Sequence, residues 1–423
     1  MTHEECSRSG ERMLQAERLK RALEALRVTV QQAAEADPAL RAALVGTSVE
    51  ELMAEITSAM ESESFPHHGA LALRVFEEIG LPEEQPELMG QIIRGIGRAH
   101  ERLGNTSEAY EAYQRALNLA EGAKDDALAA GCLRRMGRVM MNMAQWDSAS
   151  ELLGKSDAIY QRIEDRNGHA EALCDIGSLH FQKGELSDAE KAYKQALEAA
   201  EELEDVTLII NLKNNLGIIA NVRGDVANAI EQYQGCAALA NQAQKEPLLA
   251  QAYHNLGMAY ADRREWSNAC ECYEKALELA RKHGLASIVG TAHLNKAEMY
   301  LELGDLTMAS VDCGRALSMF KTTRDSLSEA EVYRVLGDVF ARRGNEVVAL
   351  KMFNQCLEMT KIANAPLETA ETYRAMGEAY ERLGHTQQAI SALEHALRYF
   401  GQVEARGDYE ATEKLLARLR SSA

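Results

Sequence analysis

The chain repeats itself every 40 residues, and this period constrains its fold more than any other feature. We call the most regular position of the repeat the anchor. A strict period of this length is typical of repeat arrays, in which each unit packs only on its neighbours. The 423 residues also exceed what one hydrophobic core usually supports. The anchors are Gly97, Gly137, Gly177, Gly217, Gly257, Ala297, Gly337 and Gly377.

Further positions of the repeat alternate between small and large residues. Twelve residues after the anchor all eight repeats have alanine, and nineteen residues after it they have alanine, serine or cysteine. Sixteen residues after the anchor the side chain is mostly large, as at Tyr273. Small residues let two helices approach closely, and the large one fills the gap beside them. We therefore expect Ala269→Leu to destabilise the fold by about 1–3 kcal/mol through overpacking.

Helix breaks divide each repeat into two helices. Seven residues after the anchor, six repeats have a glycine, which suits the left-handed conformation that ends a helix. Ala144 and Arg264 are the exceptions. The second break carries aspartate or asparagine, which can cap the following helix. The predicted caps are Asp125, Asp165, Asp205, Asp325 and Asn364.

This pattern resembles the tetratricopeptide repeat, in a 40-residue variant, over about residues 90–409. Similar long repeats occur in polarity adaptors of the Pins type, in kinesin light chains and in bacterial peptide-sensing regulators. The resemblance implies an all-α fold, a right-handed superhelical solenoid of antiparallel helix pairs, with the first helix of each pair on the concave face. The fifth repeat matches best, through Leu256, Gly257, Tyr260, Ala269, Tyr273 and Ala276.

The repeats suggest four segments. Residues 90–407 would hold eight repeats, and residues 49–89 a degenerate helix pair. Residues 1–48 would form a helical cap or a dimerisation segment, because the apolar spacing within residues 11–36 fits either docking on the degenerate pair or a coiled-coil seam of a homodimer. Residues 408–423 are expected to form a C-terminal capping helix.

The charge balance narrows the range of partners. The formal net charge is −19 at pH 7, whereas duplex nucleic acid and anionic membranes require a basic surface. We expect no direct nucleic-acid partner. No segment has the roughly 18 apolar residues of a membrane span, and the N-terminus lacks the order of a secretory signal. We therefore expect no membrane insertion and a cytoplasmic location.

Motifs that carry chemistry are missing from the sequence. It has no phosphate-binding glycine loop, no dinucleotide fingerprint and no His-Glu-x-x-His. His67 and His68 lack nearby metal ligands, and Trp146 and Trp266 share a repeat position that suits helix packing. We therefore expect no enzyme, no cofactor and no metal site.

Three successive repeats carry asparagine two residues before the anchor, at Asn215, Asn255 and Asn295. Asparagine in the middle of a helix lowers helix stability by several tenths of a kcal/mol relative to alanine. Its occurrence in three successive repeats therefore indicates that these side chains have a role that compensates for this loss. A side-chain amide can bond both polar groups of an extended peptide backbone. Helices about 10 Å apart would place one asparagine per roughly three peptide residues. Kinesin light chains and Pins-type adaptors are similar in having an asparagine row that grips their targets.

The alternative for this row is that the amides bond one another or neighbouring helix ends. If they grip a peptide instead, Asn255→Ala should leave stability almost unchanged. Other polar residues on the same helices would then extend the binding surface: Asn211, Asn214, Asn221 and His254.

Arginines gather in the first two repeats. Arg94 with Arg98, and Arg134 with Arg138, are i,i+4 pairs, and Arg135 lies beside them. Like charges in this arrangement destabilise the fold unless an anion or an acidic partner neutralises them. A ligand bound here would carry carboxylates or a phosphate. The alternative is that aspartate and glutamate on adjacent helices neutralise them.

We interpret the protein as a scaffold or adaptor that holds an extended segment of a partner protein, with acidic groups as one option, in the concave groove. Two other functions stay open, because a repeat fold does not choose among them. One is a regulatory sensor, in which a peptide or small ligand changes the curvature of the solenoid and so controls an effector. The other is an assembly platform that dimerises through its terminal helices.

Overall fold

A computed structural model describes residues 86–102, 105–323, 325–363, 365–403 and 405–422 of the chain. The predictions for residues 1–48, for the seam at residues 11–36 and for His67 and His68 lie outside the described residues. The same holds for most of the predicted degenerate pair at residues 49–89.

Every secondary-structure element in the described part is an α-helix. None of these helices combines the length and the apolar character that crossing a lipid bilayer requires. Their bounds are α1 Pro86–Arg102, α2 Thr106–Ala123, α3 Asp126–Asn142, α4 Trp146–Arg162, α5 Arg166–Gln182, α6 Leu186–Glu202, α7 Val206–Val222, α8 Val226–Gln242, α9 Glu246–Asp262, α10 Trp266–Lys282, α11 Ala286–Leu303, α12 Leu306–Thr323, α13 Ser326–Arg342, α14 Glu346–Ile362, α15 Pro366–Arg382, α16 Thr386–Gln402 and α17 Arg406–Ser422.

Packing divides the chain into two compact units, one ending at Leu212 and the other beginning at Lys213. In both units, consecutive helices form antiparallel pairs, such as α3 with α4 and α9 with α10. The first helices of successive pairs also contact one another: α1 meets α3, α3 meets α5, and the same holds from α9 through α15. We call the solvent side of these first helices the first-helix face. The predicted all-α class of paired helices is confirmed.

The small positions of the repeat lie where the two helices of a pair meet. All the alanines twelve residues after the anchor are buried, as are the small residues nineteen after it. A Cβ atom added to the anchor Gly177 would lie 2.6 Å from a ring carbon of Tyr193, which is sixteen residues further on. This is closer than real Cβ contacts permit, so the anchor glycine is required by the large residue opposite it.

The predicted breaks end the helices. Gly184, Gly224, Gly304, Gly344 and Gly384 all have a positive φ. Ala144 and Arg264 adopt the same left-handed conformation, with φ of 55° and 58°, although neither is glycine. The helix ending is therefore set by the repeat rather than by glycine alone.

Aspartate caps begin α3, α5, α7 and α13 as predicted. The carboxylate of Asp125 accepts the backbone N–H of Leu128 over 2.9 Å, and Asp165, Asp205 and Asp325 make the equivalent bond. Asn364, the fifth predicted cap, lies outside the described residues. The cap of α15 is Ala365, which makes no side-chain bond, and Pro366 in the first turn fixes the helical φ instead.

The last helix covers the end of the final pair. Leu416 and Leu419 of α17 are buried and pack against Ala389 and Leu393 of α16. Apolar surface that a terminal repeat would expose is thus removed from water.

Candidate functional site

A chain of hydrogen bonds joins asparagines of three successive repeats on the first-helix face of the second unit. Nδ2 of Asn255 donates to Oδ1 of Asn214 over 2.7 Å. Nδ1 of His254 lies 3.1 Å from Oδ1 of Asn255, and Nδ2 of Asn295 lies 3.1 Å from Nε2 of His254. We call these four residues the amide chain. It contains two members of the predicted asparagine row, Asn255 and Asn295, but not Asn215. Asn214 and His254, which the sequence analysis placed beside the row, complete it.

The direction of the donors determines the state of the histidine. Amide nitrogens donate and amide oxygens accept, so each bond is satisfied when His254 is neutral and carries its proton on Nδ1. Burial lowers the pKa of His254, and the hydrogen bond to Asn255 opposes this only in part. The neutral imidazole that the amide chain requires is thus the form that its surroundings favour.

The other predicted asparagines differ in their bonding. Nδ2 of Asn221 donates to Asp262 over 2.9 Å, and its buried Oδ1 has no partner among the described residues. Asn211 and Asn215 are half-buried on α7 and make no side-chain hydrogen bond with any residue that the structure describes. The amides that bond one another directly are those of Asn214 and Asn255.

These bonds between helices follow a spacing that was readable in the sequence. Asn214 and Asn255, like His254 and Asn295, are 41 residues apart, which is one repeat plus one residue. First helices stacked at a period of 40 bring such positions together. Comparing each polar residue with the one 41 positions later would have found these pairs.

Arg134 lies in a buried ion pair in the first unit. Its guanidinium bonds Asp175 over 2.9 Å and Glu171 over 2.7 Å, while the residue is only 9% exposed. Burial alone would lower its pKa, but the two carboxylates outweigh burial and raise it. Nε of Arg134 is buried and has no hydrogen-bond partner among the described residues.

Arg135 and Arg138 are less completely neutralised. They lie 3.8 Å and 3.7 Å from Glu101, and Arg138 is 3.9 Å from Asp175, all longer than a hydrogen bond. Burial lowers the pKa of Arg135, and the positive charges of Arg138 and Arg134 lower it further. The positive charges here are therefore close enough to repel one another.

The predicted arginines share three carboxylates. Arg94 forms no ion pair with a described residue, and Arg98 lies one turn along the same helix. Four guanidiniums on α1 and α3, without counting Arg98, thus face three carboxylates on α1 and α5. Among the described residues, the predicted neutralisation by adjacent helices occurs in part, and an excess of positive charge is left. The residues compared are Arg94, Arg134, Arg135 and Arg138 against Glu101, Glu171 and Asp175.

An acidic region on the same face of the second unit was missed in the sequence. One residue after the anchor, repeats one and two carry Arg98 and Arg138, whereas repeats six to eight carry Glu298, Asp338 and Glu378. Burial raises the pKa of both Glu298 and Asp338 against the opposing effect of Arg334. The change of sign along this single register was the signal that could have found it.

Cysteines and metal ligands offer no reactive centre in the described residues. All seven cysteines there are free, and burial raises the pKa of Cys236 to about 12. Only His180, Glu185 and Asp188 bring three candidate ligand atoms together in that part of the chain. Glu185 already bonds His180 over 2.6 Å and Lys183 over 2.8 Å, so we assign no metal to them.

The chain is similar to solved structures that share its fold. The apo form of the quorum sensor NprR from B. thuringiensis is 14% identical, with a TM-score of 0.59, over 82% of this chain and 97% of that one. The Rap conjugation gene regulator of the plasmid pLS20, in complex with the Phr* peptide, is 13% identical, with a TM-score of 0.56, over the same shares. At these identities the likeness shows the fold alone.

One curated relative shares more sequence over a shorter stretch. Superkiller complex protein 3 of Homo sapiens is 32% identical over 115 residues, which are 27% of this chain. The chain spans only 7% of the length of that relative.

Family models identify the repeat directly. A tetratricopeptide repeat model matches residues 128–202, 208–282 and 289–362, which make up more than half of the chain. Two further tetratricopeptide repeat models match residues 93–127 and 370–401. The predicted solenoid class is thereby confirmed, and the chain belongs to the tetratricopeptide repeat family.

Proposed function

We propose that the protein is a non-catalytic scaffold that holds an extended segment of another protein on its first-helix face. The observation that carries this proposal is the row of amides on α7, α9 and α11. Amides regularly spaced along one face match the regularly spaced polar groups of an extended backbone. Membership of a repeat family whose units stack into continuous surfaces supports the proposal.

The amide chain has capacity left for a ligand. A side-chain amide offers two donor hydrogens and an oxygen with two lone pairs. Asn255 uses one hydrogen and one lone pair, and Asn215 uses none with the described residues. A bound peptide backbone would therefore add bonds at Asn255 and Asn215 without first breaking the amide chain.

The excess of arginines in the first unit supports acidic or phosphorylated groups in a segment bound there. Guanidinium groups bind carboxylate or phosphate through two parallel hydrogen bonds. Arg138 is the arginine best placed for this role, since its side chain is 41% exposed and its contacts with carboxylates are long. Arg134 is already bonded to two carboxylates and would contribute charge rather than direct contact.

Selection from a displayed library of random peptides would test this function. We expect enriched peptides to be extended and to carry acidic residues. Fluorescence anisotropy would then measure their affinity for Asn215→Ala/Asn295→Ala and for Arg94→Glu/Arg138→Glu. Because charged hydrogen bonds contribute about 1.5–3 kcal/mol, the charge reversal should weaken binding about tenfold or more.

Matched control variants keep the same chemistry off the first-helix face. Asn241→Ala on α8 and Arg115→Glu on α2 change exposed residues of second helices, and both should bind as the unaltered protein does. Thermal unfolding would establish that all variants are folded. Full affinity in both first-helix-face variants would show that this face is not the binding site.

The amide chain also favours the sensor as a second candidate function. Asn295 and His254 are already bonded to each other, so a peptide that takes over their bond would couple binding to the contact between α9 and α11. Small-angle scattering with and without a selected peptide separates the two functions. A sensor requires a change in the radius of gyration, whereas a preformed scaffold keeps it constant.

A further inference from the structure

A small pocket opens on the first-helix face of the second unit. Its volume is about 210 Å³, and it lies between α9, the start of α10, and α11. Pockets for drug-sized ligands measure about 300–1,000 Å³, so this one suits a single side chain. Asn295 of the amide chain forms part of its wall, which connects the pocket to the surface proposed to hold a peptide backbone.

All the charged residues that line the pocket are negative. Asp262, Glu298 and Glu302 contribute carboxylates, and no lysine, arginine or histidine is among the lining residues, all of which belong to the described part of the chain. Each carboxylate has one partner on a neighbouring helix: Asn221, Arg334 and Arg342 respectively.

Those partners leave a negative excess. Arg334 also bonds Glu331 and approaches Asp338, and Arg382 bonds Asp338, so two guanidiniums are shared among three carboxylates. Asp262 has only the neutral amide of Asn221 as a partner among the described residues. Burial raises the pKa of Tyr273 in the pocket wall, and the charges of Glu298 and Asp262 raise it further. The field of these carboxylates therefore reaches into the pocket.

Soft and aromatic groups complete the wall. The indole of Trp266 lines the pocket together with the thioethers of Met258 and Met299. An aromatic face attracts a cation, and tryptophan does so most strongly. Indole and thioether groups also suit the apolar stem of a long side chain.

We propose that this pocket binds the cationic side chain of an arginine or lysine in the extended segment held on the first-helix face. The inference rests on the proposed function and adds to it a basic residue, next to the backbone contacts of Asn295. A metal ion is the poorer occupant, because these carboxylates do not approach one another as metal ligands do. Trp266 and Met258 have no side-chain oxygen atoms, which are the ligands that hard cations prefer.

Fluorescence of Trp266 provides a direct test. The chain has two tryptophans, so Trp146→Phe makes Trp266 the sole reporter. We would titrate this protein with N-acetyl-argininamide and with its neutral isostere N-acetyl-citrullinamide. We expect a saturable change in emission with the arginine probe, and binding of the citrulline probe about tenfold weaker or more, because it lacks the charge.

Variants identify the groups responsible. Glu298→Gln should weaken the binding of the arginine probe several-fold. Glu302→Gln, one turn further along the same face of α11, serves as a second variant should the first fail to fold. Glu278→Gln on α10 removes an exposed carboxylate that does not line the pocket, and it should bind the probe unchanged. Equal binding of both probes, indifference to both carboxylate substitutions, or no saturable change at all would overturn the proposal.

The small probe separates this inference from the proposed function. If displayed peptides fail to bind but the arginine probe binds, the proposal for the pocket is supported and the proposal for the peptide-binding surface is contradicted. If peptides without any basic residue bind, and if replacing arginine by citrulline in other peptides leaves their affinity unchanged, the peptide-binding surface is supported and the proposal for the pocket is contradicted.

Discussion

Gly257 and Tyr273 are fitted to each other across the fifth helix pair. A Cβ atom on Gly257 would lie 2.7 Å from the tyrosine ring, and Tyr273 is only 1% exposed. In the sixth repeat, the same two positions hold Ala297 and Cys313, both completely buried. A larger anchor is thus matched by a smaller partner, so the volume of the contact is kept while its division between the helices changes.

This relationship predicts that the effect of Gly257→Ala on the free energy of unfolding depends on the residue opposite it. The substitution should destabilise opposite tyrosine and stabilise opposite cysteine. In the unaltered protein the gain of about 1 kcal/mol in helix propensity should be outweighed by overpacking of about 1–3 kcal/mol. In a Tyr273→Cys background the added methyl group has room, and Gly257→Ala should stabilise by about 1 kcal/mol. Urea unfolding of the four proteins measures both effects. Equal effects in the two backgrounds would show that the residues are not coupled.

Asn255→Ala should cost about 1–2 kcal/mol of unfolding free energy. The substitution removes the partners of both Asn214 and His254 and leaves polar groups unsatisfied. The sequence analysis expected almost no change if the amides grip a peptide. The bonds of Asn255 to Asn214 and His254 instead fit the alternative, in which the amides bond one another, so a peptide would have to use the hydrogen-bonding capacity that these bonds leave. The loss would approach that expected for Ala269→Leu in the same repeat. Asn241→Ala, which removes an exposed amide on α8, is the control and should change stability little.

The neutral state of His254 predicts acid sensitivity. Burial lowers its pKa in the folded protein below the ordinary value of 6.5. As the pH falls through 6.5, His254 is protonated in the unfolded chain but stays neutral in the folded protein, so the free energy of unfolding decreases. His254→Asn should reduce the loss of stability between about pH 7 and pH 5. Unfolding curves at both pH values measure it, and identical losses in the two proteins would contradict the prediction.

Ala144→Gly should stabilise the protein by up to about 1 kcal/mol. Ala144 has a φ of 55°, a conformation that costs a residue with a Cβ atom about 1–2 kcal/mol. Part of the gain is offset by the greater freedom of glycine in the unfolded chain. Ala158→Gly, at an exposed position within α4, should instead destabilise by about 1 kcal/mol. Thermal melting would show opposite shifts, and shifts of the same sign would exclude strain at Ala144.

Asp175→Ala should destabilise the first unit by about 1.5–3 kcal/mol, since Arg134 keeps its bond to Glu171. The guanidinium of Arg134 would lose its 2.9 Å bond while staying buried. Glu151→Ala breaks an ion pair of similar length with Lys155, but both side chains are exposed, so stability should hardly change. Denaturant unfolding compares the two, and similar losses would mean that Arg134 moves out to water when its partner is removed.

The sequence predicted much of the fold but less of the candidate site. Anchors, breaks and aspartate caps are local patterns, and they depend on neighbours within one repeat. The roles of Asn255 and Arg134 depend on residues 41 positions away, on another first helix. Inspection of one repeat at a time therefore left open whether these side chains face a ligand or bond each other.

The sequence by itself determined that this protein is an array of paired helices, because small residues at a fixed period permit only close helix crossings at those positions. The tertiary structure decided which polar groups are bonded internally and which charges are left in excess. The physical reason is that a hydrogen bond or ion pair needs two atoms within about 3–4 Å. Only the stacking of successive first helices brings Asn214 to Asn255, or gathers Asp262, Glu298 and Glu302 around one pocket.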